Sequence, residues 1–244
     1  MKRLVFIFAF LLCCSAIQVQ ARGIMTMCGA GVPVAGGPCT GSNPNDCTFR
    51  ETFNGAVECA DGYSSTCNNA WVIATFTPDF DNTSYPASGA TYATYLTGNG
   101  TIRNSTNHSA LAEGYYVVRA YIETRAYAST FMKATTSTAG TLCTMIMGTN
   151  GEMSMVNDQS ETSSTIATVS NGGVYYFKLR YKKGSGENSE CEGWVSSDGV
   201  NWGTSQSTAG GAVTTDAARV YIGTGTNTKS HIQEVRIYSG DISW

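Results

Sequence analysis

The segment 173–244 constrains the fold more than any other stretch of this chain. It reads GVYYFKLRYKKGSGENSECEGWVSSDGVNW, then TTDAARVYIGTG, then HIQEVRIYSG. Each apolar run alternates with period two and stops at a cluster of Gly, Asn, Asp or Ser, the pattern of antiparallel strands with one buried face. The same grammar recurs upstream. TFRETF, AWVIATF, ATYATYL, GYYVVRAYIET, TLCTMIM, EMSMV and STIATV precede GVYYFKLRYKK, CEGWVSS, ARVYIG and IQEVRIY, which gives eleven strand candidates. No window carries a helical apolar repeat, and no internal repeat has a fixed period. The pattern therefore predicts an antiparallel sandwich or barrel and argues against a propeller or solenoid.

The N-terminus reads as a leader. Lys2 and Arg3 precede an apolar run over residues 4–14, and small residues follow up to Ala21. This is the layout of a signal peptide over 1–21, cut after Ala21, with the look of a bacterial one. Cys13 and Cys14 raise a lipoprotein alternative, which Leu12 disfavours because a small residue is expected there. No segment reaches the ~18 consecutive apolar residues of a spanning helix. The expectation is a secreted or cell-surface protein with no membrane span. Cleavage leaves 13 basic and 18 acidic residues. A mildly acidic chain of this kind has no general electrostatic attraction for nucleic acid or anionic membrane.

Seven cysteines lie beyond the leader: Cys28, Cys39, Cys47, Cys59, Cys67, Cys143 and Cys191. In an exported chain they read as disulfide formers. Cys59 and Cys67 are spaced to close a short loop. Cys143 and Cys191 each sit inside a strand-like run, where a bridge would staple two strands. The odd count leaves one thiol free, or one intermolecular bridge, or a different cleavage point. A metal site is the rival reading, but no C-x-x-C pair occurs, and His108 and His231 are far from the cysteine cluster. Residues 22–48, rich in Gly, Pro and Cys, form an irregular extension, and the strand pattern begins after them.

Several segments together resemble a known fold family. These are Phe53-Asn54-Gly55, Trp71, LRYKKGSG-x₆-GWVSSDG, TTDAARVYIGTG and HIQEVRIY. The chain is similar over about 49–239 to concanavalin A-like or laminin-G-like jelly-roll domains. The resemblance implies an all-β, antiparallel two-sheet sandwich over 49–244, in which 49–53 pairs with 232–238. It implies glycan or protein binding, with some glycan-cleaving members. Loop acids such as Asp61, Asp79 and Asp81 are the calcium candidates, because rims of such domains hold calcium through hard oxygen ligands.

The catalytic motifs of the family are missing or broken. No E-x-D-x-x-E strand occurs, although a retaining glycosidase needs two carboxyls about 5 Å apart. Glu187, Glu190 and Glu192 are the nearest acidic cluster and read as a solvated hairpin edge. Tyr176-Phe177-Lys178 match three positions of a Y-F-K-x-G-x-Y-N-Q lyase strand, but Arg180 replaces its Gly. Ser230-His231-Ile232-Gln233 has the order of a Q-x-H strand reversed, and no nucleophile elbow accompanies His108 or His231. The segment 196–202, SSDGVNW, is one residue short of an Asp-box turn, with Asp198 placed to cap the turn and Trp202 to pack beneath it. Four N-x-S/T sequons begin at Asn82, Asn99, Asn104 and Asn107. In a bacterial chain they are polar loop.

Strand facing supplies the candidate site. In 174–183, alternation sets Tyr176, Lys178, Arg180 and Lys182 against Tyr175, Phe177, Leu179 and Tyr181. In 115–125 it sets Tyr115, Val117, Arg119, Tyr121, Glu123 and Arg125 against Tyr116, Val118, Ala120 and Ile122. Across the hairpin, Glu190, Glu192, Trp194 and Ser196 share a face, with Arg180 opposite Glu192. Aromatic faces stack on the C–H patches of sugars, and planar charged groups bond their hydroxyls. Tyr115, Arg119, Tyr121, Tyr176, Lys178, Arg180, Glu192 and Trp194 are therefore the candidate ligand-binding residues. The competing reading is ordinary exposed surface with cross-strand ion pairs. The sequence thus predicts a non-enzymatic module recognising a glycan or surface polymer. The alternative is a structural or adhesive protein that assembles with copies of itself through its sandwich and N-terminal cysteines, and a third reading, ranked after both, is a polysaccharide lyase.

Overall fold

In the computed structural model, residues 49–51, 71–75, 94–97, 101–104, 108–125, 128–185, 188–223 and 229–240 are described. They fall within one unit of the chain, Gly36–Trp244. The predicted leader, the 22–48 extension, Cys28, Cys39, Cys47, Cys59, Cys67, the calcium candidates Asp61, Asp79 and Asp81, and Glu187 lie outside the described residues. So do the sequon residues Asn82, Asn99 and Asn107.

Fourteen strands make up the described elements: β1 Phe49–Glu51, β2 Trp71–Thr75, β3 Thr94–Thr97, β4 Thr101–Asn104, β5 Glu113–Thr124, β6 Ser129–Thr135, β7 Thr141–Met147, β8 Glu152–Asn157, β9 Ala167–Thr168, β10 Gly173–Lys182, β11 Ser189–Ser196, β12 Gln206–Gly211, β13 Arg219–Gly223 and β14 Lys229–Tyr238. They form two seven-stranded antiparallel sheets. The first runs β1-β14-β5-β10-β11-β12, with β3 also on β14, and the second runs β2-β4-β13-β6-β7-β8-β9. The architecture is the all-β, two-sheet jelly-roll sandwich that the sequence predicts. β1 pairs with β14, Phe49 opposite Ile237 and Glu51 opposite Val235, as the resemblance implies.

Alternation explains the core. Tyr116, Val118, Ala120 and Ile122 from β5 point inward with Phe177, Leu179 and Tyr181 from β10 and Ile232, Val235 and Ile237 from β14. Across the gap stand Ile102, Phe131, Met132, Leu142, Val220 and Ile222, together with four methionines, Met145, Met147, Met153 and Met155. Each such side chain contributes about 1.5–3 kcal/mol on burial. The Phe131 and Phe177 rings meet at 4.3 Å between centroids. The predicted staple is present as a disulfide, Cys143 on β7 to Cys191 on β11, with 5.6 Å between Cα atoms. Gly193 is required by this packing, since a Cβ there would come within 2.6 Å of Met155 Sδ.

Three strands escape the sequence pattern. β4 is short and polar, and β12, QSTAGG, has no large apolar residue to mark it. β6 breaks period two because its register shifts between Thr130 and Met132, which sends both Phe131 and Met132 into the core. The STIATV run keeps only Ala167–Thr168 as strand.

Candidate functional site

The outward face of the first sheet is laid out in rows by its registers. One row is Tyr238, Tyr115, Arg180, Glu192 across β14, β5, β10 and β11. The next is Arg236, Val117, Lys178, Trp194, and the third is Glu234, Arg119, Tyr176, Ser196. A fourth joins His231, Tyr121 and Val174. All eight residues predicted from the sequence stand on this face.

The first row is an ion cluster. Arg180 Nε donates to Glu113 Oε1 at 2.6 Å, and its Nη1 donates to Glu192 Oε2 at 2.8 Å, with Glu190 Oε2 at 3.4 Å. Burial opposes the charge of Arg180, but the bonds to Glu113 and Glu192 outweigh it and raise its affinity for the proton above the ordinary guanidinium value. The Tyr115 hydroxyl donates to the same Glu113 oxygen at 3.3 Å. Tyr115 is itself only 7 % exposed, so it supports the face from beneath.

The second row holds a cation between two indoles. Lys178 Nζ lies 4.3 Å from the Trp194 ring centroid and 4.7 Å from that of Trp202. Outward facing predicts a solvated lysine here. Instead Lys178 is 4 % exposed, because Trp202 folds back over the sheet from the turn after β11. Both indoles pack on a small apolar cluster of Tyr115, Val117 and Tyr238. The turn that delivers Trp202 is built on Asp198. Its Oδ1 accepts the backbone N–H groups of Val200 and Asn201, each at 2.8 Å, and the Ser196 hydroxyl at 2.9 Å. Its Oδ2 accepts from Asn201 Nδ2 at 2.7 Å. The two bonds from Asn201, then that from Val200, hold the carboxyl far below the usual carboxylate range. Gly199 supplies the left-handed φ of 78° that the turn needs.

In the third row, the Arg119 guanidinium lies 5.5 Å from the Tyr176 ring centroid. Arg236 Nε donates to Glu234 Oε1 at 2.6 Å. In the fourth, His231 is fully buried, with Nε2 3.1 Å from Glu123 Oε2 and its ring tilted against Tyr121 at 5.5 Å. Lys229 Nζ reaches Glu123 at 3.5 Å. Arg125, expected on this face by alternation, lies past the end of β5. Its Nε donates to Asn171 Oδ1 at 2.8 Å and its Nη1 to the Asn150 carbonyl.

Glu113, Trp202, Arg236, Tyr238 and His231 complete the face and were not among the predicted site residues. Glu113 and Tyr238 were within reach, since each continues the alternation of its strand. Trp202 was not, because a turn's direction over a sheet is a tertiary fact. His108, by contrast, is internal. Its Nδ1 donates to the Ser109 carbonyl at 2.7 Å, so its Nε2 accepts from the Tyr116 hydroxyl at 3.3 Å. Burial lowers its pKa, only partly offset by the Ser109 bond. Among the described residues, no group of three or more His, Cys, Asp or Glu is arranged to hold a metal ion.

The second sheet's outward face is different in kind. Its register row Arg103, Tyr221, Lys133, Thr144, Val156 carries a single aromatic, with Lys133 Nζ 4.8 Å from the Tyr221 ring centroid.

No protein-family model matches the chain, and no curated protein matches it. Solved structures do. The chain is similar to an endo-β-1,4-glucuronan lyase from the fungus Trichoderma reesei at 12 % identity and a TM-score of 0.51, over 80 % of this chain and 96 % of that one. It is similar to the exoplasmic/lumenal domain of VIP36 in its metal-free form at 11 % identity and a TM-score of 0.50, over 80 % and 95 %. A sialidase from Trypanosoma rangeli matches at 15 % identity and a TM-score of 0.45, over 62 % of this chain, which spans only 26 % of the sialidase. The lyase and VIP36 matches establish that this chain has the two-sheet jelly-roll fold.

Proposed function

We propose that this chain is an exported, non-enzymatic binding module whose outward first-sheet face recognises a glycan. The observation that carries the reading is the asymmetry between the two outward faces. Tyr121, Tyr176, Trp194 and Trp202 stand half-buried on one, interleaved with Arg119, Arg180 and Arg236, whereas the described register row of the other carries one aromatic residue. Half-exposed aromatic rings offer apolar area at low entropic cost, and fixed guanidinium groups orient hydroxyls beside them. The ion cluster and the Lys178 sandwich hold these groups rigid before a ligand arrives, which reduces the ordering cost of binding. A glucuronan-acting enzyme among the fold neighbours supports a carbohydrate partner.

The test is titration of residues 22–244 with a panel of soluble polysaccharides, followed by tryptophan emission. Tyr176→Ala and Trp194→Ala variants with unchanged melting temperature run beside it. Saturable binding that both variants weaken supports the reading. Failure to bind any polysaccharide sinks it. Ultraviolet absorbance from unsaturated products would overturn the non-enzymatic part alone.

A further inference from the structure

Four Asn-Gly pairs occur in this chain, and two of them, Asn150-Gly151 and Asn171-Gly172, lie among the described residues. In such a pair the glycine nitrogen can attack the asparagine side chain before it, because glycine places no side chain in the way. Asn150 sits in the turn between β7 and β8 of the second sheet, and Asn171 in the turn that leads into β10 of the first. Arg125, one residue past β5, bonds to both. Its backbone N–H at 3.1 Å and its Nε at 2.8 Å donate to Asn171 Oδ1, and its Nη1 donates to the Asn150 carbonyl. Gly151 permits this approach, since a Cβ there would collide with the guanidinium.

The two pairs are held by different means. At Asn150 the hairpin turn itself fixes both reacting groups: Oδ1 accepts from the Glu152 N–H at 3.2 Å, and the Gly151 N–H donates to the Gly148 carbonyl at 2.9 Å. Asn171 is exposed, and its carboxamide is held by Arg125. The Gly172 N–H donates to the Ile122 carbonyl at 2.7 Å, and a Cβ on Gly172 would meet nothing within 4 Å. The carboxamide of Asn171 is thus in the open, with a guanidinium as its latch.

We propose that Asn171 is a deamidation site of this protein and that Arg125 sets its rate. The Gly172 nitrogen gives its proton to a solvent base and attacks Asn171 Cγ. The Cγ–Nδ2 bond then breaks, the nitrogen takes up a proton, and ammonia leaves a succinimide. Water opens that ring at one carbonyl or the other, giving aspartate or isoaspartate. In the folded chain the attack waits until the carboxamide swings off Arg125 and the Gly172 N–H leaves Ile122, so the rate follows the population in which this turn is open. A bond from a charged donor opposes that opening more than a neutral one does. The aspartate product still presents an oxygen to Arg125. The isoaspartate product adds a methylene to the main chain between Asn171 and Gly172 and draws the Gly172 N–H out of line with Ile122.

The experiment incubates the full chain and its Arg125→Met variant at mildly alkaline pH, folded and in urea. Each Asn-Gly peptide is followed by mass spectrometry, with isoaspartate separated from aspartate. The folded, unmodified chain is expected to deamidate Asn171 about tenfold or more slowly than the chain in urea. Arg125→Met keeps an unbranched stem and removes the guanidinium donors. It is expected to speed Asn171 in the folded chain about tenfold while Asn150 stays slow, because the bonds on its reacting groups do not involve Arg125. An unchanged rate at Asn171 in the variant overturns the proposal. Equal acceleration at Asn150 and Asn171 also overturns it, since that is general loosening of the fold. Equal rates at Asn171 in the folded and unfolded chain overturn it as well, because the turn then offers no protection for Arg125 to supply.

Discussion

Cys143 and Cys191 join the two sheets through the core, and their removal tests how far the sandwich depends on a covalent staple. The bridge closes a loop with a sequence separation of 48. For a loop of that length the entropy withheld from the unfolded chain corresponds to about 4 kcal/mol at 25 °C. Both residues are almost fully buried, so replacing them by alanine also leaves a void costing about 1 kcal/mol. At about 2–4 °C of melting temperature per kcal/mol for a domain of this size, Cys143→Ala/Cys191→Ala is expected to melt about 10–20 °C lower. Calorimetry at neutral pH without reductant measures this. The single variants should fall at least as far as the double, because each also strands a buried thiol. A loss below about 3 °C refutes the argument, because it means the unfolded chain gains little freedom when the loop opens.

Three further predictions concern charge. Arg180→Ala leaves Glu113, Glu190 and Glu192 facing one another on a partly buried row, and should cost about 2–4 kcal/mol in urea unfolding, partly recovered by adding Glu192→Gln. The folded pKa of Asp198 lies below its unfolded value, so its contribution is whole above about pH 5 and is lost as pH falls through about 4 and below. The melting-temperature gap between the unmodified chain and Asp198→Asn should therefore be constant from neutral pH down to about 5 and narrow below it. His108 is held neutral by burial, so its folded pKa is depressed, and acidification through about pH 6.5 protonates the unfolded chain first. The unmodified chain should lose stability on acidification from pH 7 toward 5 more steeply than His108→Gln. Equal slopes would refute the buried neutral assignment.

The parts of the fold legible in the sequence are those where alternation and burial agree. β10 and β11, and β5 up to Ile122, follow period two, so their facing and the Arg180–Glu192 register could be read directly. β6 and β14 each contain a bulge, and there the strict period fails. In β14 the signal was present as the three-residue spacing of Ile232 and Val235, but a strand read as strictly alternating hides it. The burial of Lys178 was not legible, since an outward lysine normally extends to solvent and the return of Trp202 over it is a tertiary contact. The outward facing of Glu113 was legible from alternation, but its meeting with Arg180 was not, because the pairing of β5 with β10 is a long-range property. The polar β4 and β12 are strands because of what they pair with, and their own composition gives little sign of it.

The position of β14 also governs the order in which the molecule can form. It comes last in chain order among the described strands, yet it supplies partners to β5 on one side and to β1 and β3 on the other. During synthesis the early strands β1 and β3 have no edge to join until residues 229–238 have emerged. Closure over such a span is slow and entropically costly, so β1 and β3 join the first sheet late, after the β5-β10-β11-β12 ladder has all its strands. Until that step the segments of β1 and β3 lack the partner strand they have in the folded sheet, and afterwards a single strand ties both of them to β5.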